Sequence, residues 1–233
     1  MVAWVGEEAV RFYAVGMGET RSSGNLLRQA AMHSDPELRL RVARRMYEQR
    51  FPEKLDPGLN LKQIRGKEGV RVRESYAHWS RETGVKWEGR FYKQNDWRKA
   101  EPINRALSAA NSCLYGVAHA AIVAAGYSPA LGFVHTGKML SFVYDVADLY
   151  KAEISIPAAF RCTAAGESKI ESRVRHLCRD QIREQRMLER IVDDLGKLFA
   201  AEGLDQREAE LLDQYDARPG GLWDLSLIHI SEP

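Results

Sequence analysis

The stretch from Glu101 to Gly126 constrains the fold most strongly, because it combines a clear helix start, a long apolar run and a clear stop. Proline is well suited to the first turn of a helix, where its missing N–H needs no partner, and glycine is a common helix end. Small residues such as Ala109, Cys113 and Ala120 recur between these two signals. Small apolar side chains favour burial and close packing. The sequence therefore predicts a tightly packed central helix.

Helical patterns also lie on both sides of this segment. Ser34 precedes Asp35-Pro36-Glu37 and is a candidate N-cap for a helix with proline in its first turn. Apolar residues then recur at helical spacing in several further stretches. These predict a long helix over 61–82 that ends near Gly84, a helix over 140–150, a short helix opened by Pro157, and amphipathic helices within 168–215.

The first fifteen residues have a different pattern, rich in β-branched and aromatic residues, and predict a hairpin of two strands. A lone hairpin is marginal in water and needs a surface on which to pack. Residues 16–24 are rich in Gly and Ser and predict a linker. The sequence thus favours a mainly α fold that follows a small β element.

Charge is distributed unevenly along the chain. The whole chain has a formal net charge of only +2, yet residues 39–99 hold 17 Lys and Arg against 8 Asp and Glu. Aromatic residues, including Trp79 and Trp87, lie among these charges. Such a stretch is typical of a nucleic-acid surface, but a set of solvated helix faces would have the same composition.

The spacing of the cysteines and the lengths of the apolar stretches indicate the cellular compartment. Cys113, Cys162 and Cys178 are widely spaced and form no CxxC pair, which favours a reducing cytoplasm over a disulfide framework. We expect no membrane span, because no run of about 18 apolar residues is present, and no signal peptide, because the N-terminus lacks a basic and then apolar opening.

Two carboxylates stand in an otherwise apolar stretch, LSFVYDVADLY. Asp145 and Asp148 are three residues apart and would share one helix face. Because burying a bare charge is costly, they need a metal ion, an arginine or a wet cleft. The alternative is a helix with one exposed stripe that carries both.

A histidine and a glutamate are the other candidate ligands. His135 lies in a loop between Gly132 and Gly137, where it is able to approach a metal or phosphate closely, with Lys138 nearby; alternatively it is merely exposed. Glu68 lies between Gly66 and Gly69 in a predicted helix, and the two glycines suggest that something approaches the backbone there. The alternative is that Glu68 forms ordinary helix salt bridges with Arg65 and Arg71.

Together these residues offer one imidazole and up to three carboxylates, with cations nearby and no cysteine ligand. Oxygen-rich sites with a single histidine suit Mg²⁺ or Mn²⁺. A hard metal beside basic residues is typical of phosphodiester chemistry, in which the metal withdraws charge from the phosphoryl group. Spacing alone leaves open whether the residues converge.

Three long segments resemble the CRISPR-associated integrase family, the nucleases of spacer acquisition. They read IRGKEGVRVRESYA, SAANSCLYGVAHAAIVAAGYSPALGFVHTGK and GFVHTGKMLSFVYDVADLYK, and the resemblance runs from about Trp4 to about Leu198. It is nearest to the form found in type I-E systems. The resemblance implies an N-terminal β domain, a C-terminal helical catalytic domain, and a homodimer that binds a small ferredoxin-like partner protein.

The resemblance also implies a site and a reaction. Glu68, His135 and Asp148 match the family's metal ligands, and Asp145 matches an acidic position beside them, so these four are the candidate catalytic residues. A 3′-hydroxyl of a captured DNA fragment would attack a phosphodiester of the repeat, and cleavage of branched or free DNA can accompany this reaction. Double-stranded and branched DNA are the implied DNA partners. The implied DNA contacts are Arg65, Arg73, Arg90, Tyr92, Trp97, Tyr115 and Lys138.

The ends of the chain depart from the family pattern. Residues 1–20 match only the last strands of the β domain with a linker, 21–218 form the predicted helical catalytic domain, and 219–233 form a tail. The last eight residues, SLIHISEP, look like translated vector sequence and are expected to be non-native. Two alternatives to an active integrase stay open: a fragment that binds DNA without catalysis, and an unrelated helical metal-dependent phosphoesterase.

Overall fold

The chain folds as two short strands followed by helices. The computed structural model describes the backbone of residues 2–5 and 11–14, and residues 23–51, 53–90 and 100–199 in full. Strands β1 (Val2–Val5) and β2 (Arg11–Ala14) pair antiparallel, with Val2 opposite Ala14. The helices are α1 (Gly24–Ser34), α2 (Pro36–Arg50), α3 (Leu61–Thr83), α4 (Pro102–Ala124), α5 (Ser141–Asp148), α6 (Ser155–Ala164), α7 (Ile170–Glu184) and α8 (Met187–Leu198).

Helix α4 is the central helix of this bundle, as its small residues predict. It packs against α5, α6, α7 and α8, and Ala106, Leu107 and Leu114 have no appreciable exposure. By length and composition alone α4 is also able to cross a membrane. Its buried positions lie in the core that the surrounding helices share, so the apolar composition of α4 is accounted for by packing.

The helix ends follow local rules, with one correction to the sequence analysis. Asp35, and not Ser34, caps α2: its Oδ1 accepts hydrogen bonds from the backbone N–H groups of Glu37 and Leu38. Ser34 is instead the last residue of α1. Helix α3 begins with a capping box between Asn60 and Gln63. It ends at Gly84, whose φ of 70° is readily adopted by glycine.

The loop between α4 and α5 is fixed by an aromatic cluster in the core. Phe133 is fully buried, with its ring centroid 5.8 Å from that of Phe142 and 5.6 Å from that of Phe199. Burying a phenylalanine side chain stabilises a fold by roughly 1.5–3 kcal/mol. The backbone two residues before His135 is therefore attached firmly to the core.

The prediction of a mainly α fold is confirmed. The predicted linker over 16–24 falls almost wholly outside the described residues, as do the predicted helix beyond residue 200 and the tail over 219–233. The division into a β remnant, a helical domain and a tail stays a prediction.

Candidate metal centre and nucleic-acid cleft

Helices α1 and α2 hold the loop that carries His135, although they lie about a hundred residues earlier in the chain. The buried side chain of Gln29 donates from Nε2 to the carbonyl oxygens of Ser128 and Leu131 and accepts from the Ser128 N–H at Oε1. His33 Nδ1 donates to the Gly132 carbonyl at 2.8 Å, and Arg39 Nε donates to the Phe133 carbonyl at 2.9 Å. These hydrogen bonds satisfy backbone groups that a buried loop would otherwise leave unpaired.

Asp145 organises the same loop from α5. Its side chain has no exposed area, and its Oδ2 accepts from the backbone N–H groups of Phe133 at 2.5 Å and Val134 at 3.0 Å. Its Oδ1 accepts from the backbone N–H of His135 at 2.8 Å. The carboxylate thus has the partners that the sequence analysis required, and they are backbone amides of the loop. This arrangement favours a positioning role for Asp145.

Asp145 also fixes the ring of His135. His135 Nδ1 lies 2.7 Å from Asp145 Oδ1 and donates to it, so Nε2 is the nitrogen left to bind a ligand. The same hydrogen bond raises the pKa of His135, against a smaller opposing effect of burial. The edge of the ring lies against Tyr144, with centroids 6.0 Å apart.

Gly132 is required by packing at the start of this loop. A Cβ atom at this position would lie 2.4 Å from the His135 carbonyl oxygen and 2.8 Å from the carbonyl carbon of Ser141. Both neighbours are backbone atoms, so a side-chain rotation cannot relieve the clash. The glycine therefore allows the loop to fold tightly onto α5, whereas the sequence analysis related it to ligand access.

Glu68 pairs across the helices, not within its own. Its Oε1 accepts from Nη1 of Arg50, the last residue of α2. The exposed fractions of the two side chains are 22% and 4%. Arg65 instead donates to the Val134 carbonyl, and Arg71 pairs with Glu53 and Glu74. The alternative of ordinary helix salt bridges from Glu68 to Arg65 and Arg71 is therefore wrong. Burial raises the pKa of Glu68, and Arg50 opposes this shift.

Asp148 completes the set from the last residue of α5. Its Oδ1 forms an ion pair with Lys151 Nζ at 2.5 Å, and both side chains are largely buried. The alternative of an exposed stripe that carries both aspartates is wrong, because Asp145 is buried and Asp148 is mostly covered.

The four candidate catalytic residues line one small cavity between α2, α3, the loop and α5. Glu68, His135, Asp145 and Asp148 all contact a space of about 20 Å³, which has room for one water-sized occupant. Two carboxylates and an imidazole nitrogen suit a hard divalent ion. Within the described ranges, however, no three acidic, histidine or cysteine side chains converge as ligands. Arg50 and Lys151 neutralise the two carboxylates in this structure.

His135 also lines a second, larger and more open cleft. It measures about 380 Å³, within the range of roughly 300–1,000 Å³ that is typical of small-ligand sites. His135 lines both spaces. The other residues that line the cleft are Arg90, Ser108, Asn111, Ser112, Tyr115, Lys138, Tyr144 and Lys151.

The structure brings some of the predicted DNA contacts together. Arg90, Tyr115 and Lys138 line the open cleft. Arg65 and Arg73 lie on α3 with exposed side chains and do not line it. Tyr92 and Trp97 fall outside the described residues.

The two glycines beside Glu68 do not serve a contact with another described part of the chain. A Cβ on Gly66 would meet nothing within 4 Å, and one on Gly69 would meet only Arg73 Nη1 at 3.7 Å. The approach that the sequence analysis expected is therefore not made by any other described element of this chain.

Several residues of the site are not among those predicted from the sequence. Arg50 and Lys151 hold the carboxylates, and Ser108, Asn111 and Ser112 line the cleft. A signal for the last three was present, because positions 108, 111, 112 and 115 follow the spacing of one helix face within an otherwise apolar helix. No local signal identified Arg50, which is 18 residues from Glu68.

Comparisons with known proteins identify the family of the chain. Residues 49–176 match the family model of the CRISPR associated protein Cas1. The chain is 58% identical over 224 residues to a CRISPR-associated endonuclease Cas1 of Thermus thermophilus, covering 96% of this chain and 69% of that protein. It is 46% identical over 201 residues to the corresponding Escherichia coli endonuclease, covering 86% of this chain and 66% of that protein.

Solved structures of Cas1 proteins also resemble this chain. A crystal structure of a TtCas1–DNA complex superposes with a TM-score of 0.75 at 58% identity, covering 82% of this chain and 71% of that one. A CAS1 protein from Thermotoga maritima shares the fold, with a TM-score of 0.59 at 18% identity over 88% of this chain and 74% of that one. The predicted family is confirmed, whereas the type I-E form stays a prediction. Because the family model matches more than half of the chain and two relatives are 58% and 46% identical over most of it, this chain belongs to the CRISPR-associated Cas1 family.

Proposed function

We propose that the chain is a metal-dependent DNA endonuclease and integrase that inserts short foreign DNA fragments into a CRISPR array. A 3′-hydroxyl of the fragment would attack a phosphodiester of the repeat, so that a new phosphodiester forms while the bond from phosphorus to the repeat's own 3′-oxygen breaks and that oxygen leaves as a 3′-hydroxyl. The observation that carries this proposal is the position of His135, which lines both a small cavity bordered by three carboxylates and an open cleft lined by Arg90, Lys138 and Lys151. A cation site next to a phosphate site suits metal-assisted phosphodiester chemistry.

Glu68, His135 through Nε2, and Asp148 would hold Mg²⁺ or Mn²⁺. When bound, such an ion withdraws charge from the reacting phosphate. The chain's own residues have separate tasks. Asp145 keeps the His135 ring in one orientation and one tautomer. Lys138 and Arg90 would hold phosphate groups in the cleft, where their charge opposes that of the DNA backbone.

The proposed partners follow from the same features and from the relatives. The TtCas1 structure is described as a DNA complex, which supports double-stranded and branched DNA as ligands of this chain. The proposal also includes a homodimer, a small ferredoxin-like CRISPR-associated partner protein and a cytoplasmic location. Family membership argues against the alternative of an unrelated phosphoesterase.

The test of this proposal is an assay on branched DNA with a free 3′-hydroxyl, with Mn²⁺ or with a chelator. We expect cleavage and strand joining, resolved on a denaturing gel, only when the metal is present. The same DNA with a 3′-deoxy end should be cleaved but not joined. Binding without any product in Mn²⁺ would support the alternative of a DNA-binding but catalytically incompetent fragment.

Exposed arginines of the cleft and of α3 should account for the salt dependence of DNA binding. Arg90→Ala or Arg73→Ala is expected to weaken binding and to reduce the slope of log K against log salt by about one, because each phosphate contact releases about one counterion. Fluorescence anisotropy over a salt series gives this slope. Glu82→Gln, an exposed charge change on α3, is the control and should not reduce the slope. An unchanged slope in both arginine variants would make those arginines structural.

A further inference from the structure

Two free thiols meet where α4 packs against α7. Cys178 is fully buried in the core, and Cys113 is half-buried and packs against the same core. The two residues lie far apart in the sequence, so no spacing motif predicts their contact. Neither thiol has a part in the proposed function.

The packing of the two helices places these thiols side by side. Cys178 lies on the buried face of α7. An ion pair at 3.1 Å between Arg105 of α4 and Glu171 of α7 joins the same two helices nearer their N-terminal ends. Cys113 follows Arg105 by eight residues on α4. Cys178 follows Glu171 by seven on α7, so the two thiols lie at nearly the same level along helices that run in the same direction.

The two thiols differ in their readiness to ionise. The thiol of Cys178 donates a hydrogen bond to the sulfur of Cys113, and this hydrogen bond lowers the pKa of Cys113 to about 7. Burial opposes the shift, and the charge of Arg175 adds to it. The same hydrogen bond, together with burial, raises the pKa of Cys178. Because the thiolate is the reactive form of cysteine, Cys113 is the thiol that an oxidant attacks first.

We propose that Cys113 and Cys178 form a site of reversible oxidation, at which hydrogen peroxide converts the two thiols into a disulfide between α4 and α7. The Cys113 thiolate attacks one oxygen of the peroxide, the O–O bond breaks, and the hydroxide that leaves takes up a proton to become water. Cys113 is then a sulfenic acid. Cys178 gives up its proton, its sulfur attacks the Cys113 sulfur, and the S–O bond breaks as the hydroxyl group leaves with a proton as a second water. Two electrons pass from the two thiols to one peroxide.

The disulfide has two physical consequences. It ties α7 to the segment of α4 that carries Ser112 and Tyr115, two residues that line the open cleft. It is also reversible, because cellular thiols reduce disulfides in a reducing compartment, where such bonds are transient and serve redox sensing. The inference is independent of the proposed function, since the oxidation requires only the folded chain.

The test treats the full chain with hydrogen peroxide, unfolds it, blocks the remaining thiols with iodoacetamide and maps the peptides by mass spectrometry. We expect the peptides of Cys113 and Cys178 to be joined, with a loss of two hydrogen atoms and of two alkylation sites per chain. Cys162 should stay alkylated, because it is buried on α6 and burial raises the pKa of its thiol. Dithiothreitol should restore both alkylation sites.

Two variants separate the roles of the thiols. In Cys178→Ala the partner for the second step is missing, so Cys113 should accumulate as a sulfenic acid that dimedone traps. Cys162→Ala is the matched control and should form the disulfide as wild type does. If Cys178→Ala is poorly folded, the peptide map of the wild-type chain decides the question by itself.

Several results would overturn the inference. They are full alkylation of all three cysteines after oxidation, a link between Cys162 and Cys178, and a link between two chains that appears as a dimer on a non-reducing gel. Oxidation that dithiothreitol does not reverse would also overturn it, because the proposed product is a disulfide.

Discussion

His135→Ala is expected to lower DNA cleavage and strand joining in Mn²⁺ by about 100-fold or more, because the proposed function makes His135 a metal ligand beside the reacting phosphate. DNA affinity should change by less than about 2-fold, because phosphate contacts dominate that affinity and the cations of the cleft are unchanged. Single-turnover rates in Mn²⁺ and anisotropy with the same DNA measure the two effects.

A second histidine serves as the control for this prediction. His119 lies on α4, is half-buried and lines neither the ion-sized cavity nor the cleft. His119→Ala should therefore keep close to wild-type rates. Unaltered activity in His135→Ala would remove this residue from the mechanism, and with it the proposed metal centre.

Gly132→Ala is expected to destabilise the protein by about 3 kcal/mol, because the added Cβ would clash with backbone atoms at 2.4 and 2.8 Å. For a chain of this size the unfolding temperature would fall by roughly 6–12 °C. The clash includes Asp145 Oδ2 at 2.9 Å, so the hydrogen bonds that orient His135 should be disturbed as well. Thermal and denaturant unfolding measure the loss, and cleavage below the transition should also be reduced.

An alanine substitution is expected to raise stability at a glycine that has free space around it. Gly66 lies within α3, and a Cβ there would meet nothing within 4 Å. Gly66→Ala should stabilise the protein by up to about 1 kcal/mol, since alanine is the better helix former. If Gly132→Ala unfolds at the wild-type temperature, the loop must relax in a way that its packing does not indicate.

The fold was largely predictable because its helices carry strong local signals. Pro102 and Gly126 bound α4 closely, and Gly84 ends α3 where the pattern predicted. The N-cap of α2 was placed one residue too early. Ser34 and Asp35 are both good caps, and the choice depends on how far α1 extends, which the sequence pattern does not define.

The site was predictable in its residue types but not in its pairings. Buried carboxylates at 145 and 148 had to have partners, and they do. Asp145 pairs with backbone N–H groups of the loop that carries His135, and this pairing depends on tertiary structure. The pairing of Glu68 with Arg50, on a different helix, depends on tertiary structure as well. Spacing rules describe neighbours along one helix and give no information about such pairs.

The hydrogen bonds from Gln29, His33 and Arg39 to the loop have a consequence for engineering. The His135 loop takes its shape from side chains that precede it by 94–102 positions. A minimal module cut at the start of α4 would keep three of the four candidate catalytic residues. It would lack Glu68 and the side chains of α1 and α2 that hydrogen-bond to this loop. A design that grafts the His135 loop and α5 onto another protein must therefore include equivalents of α1 and α2.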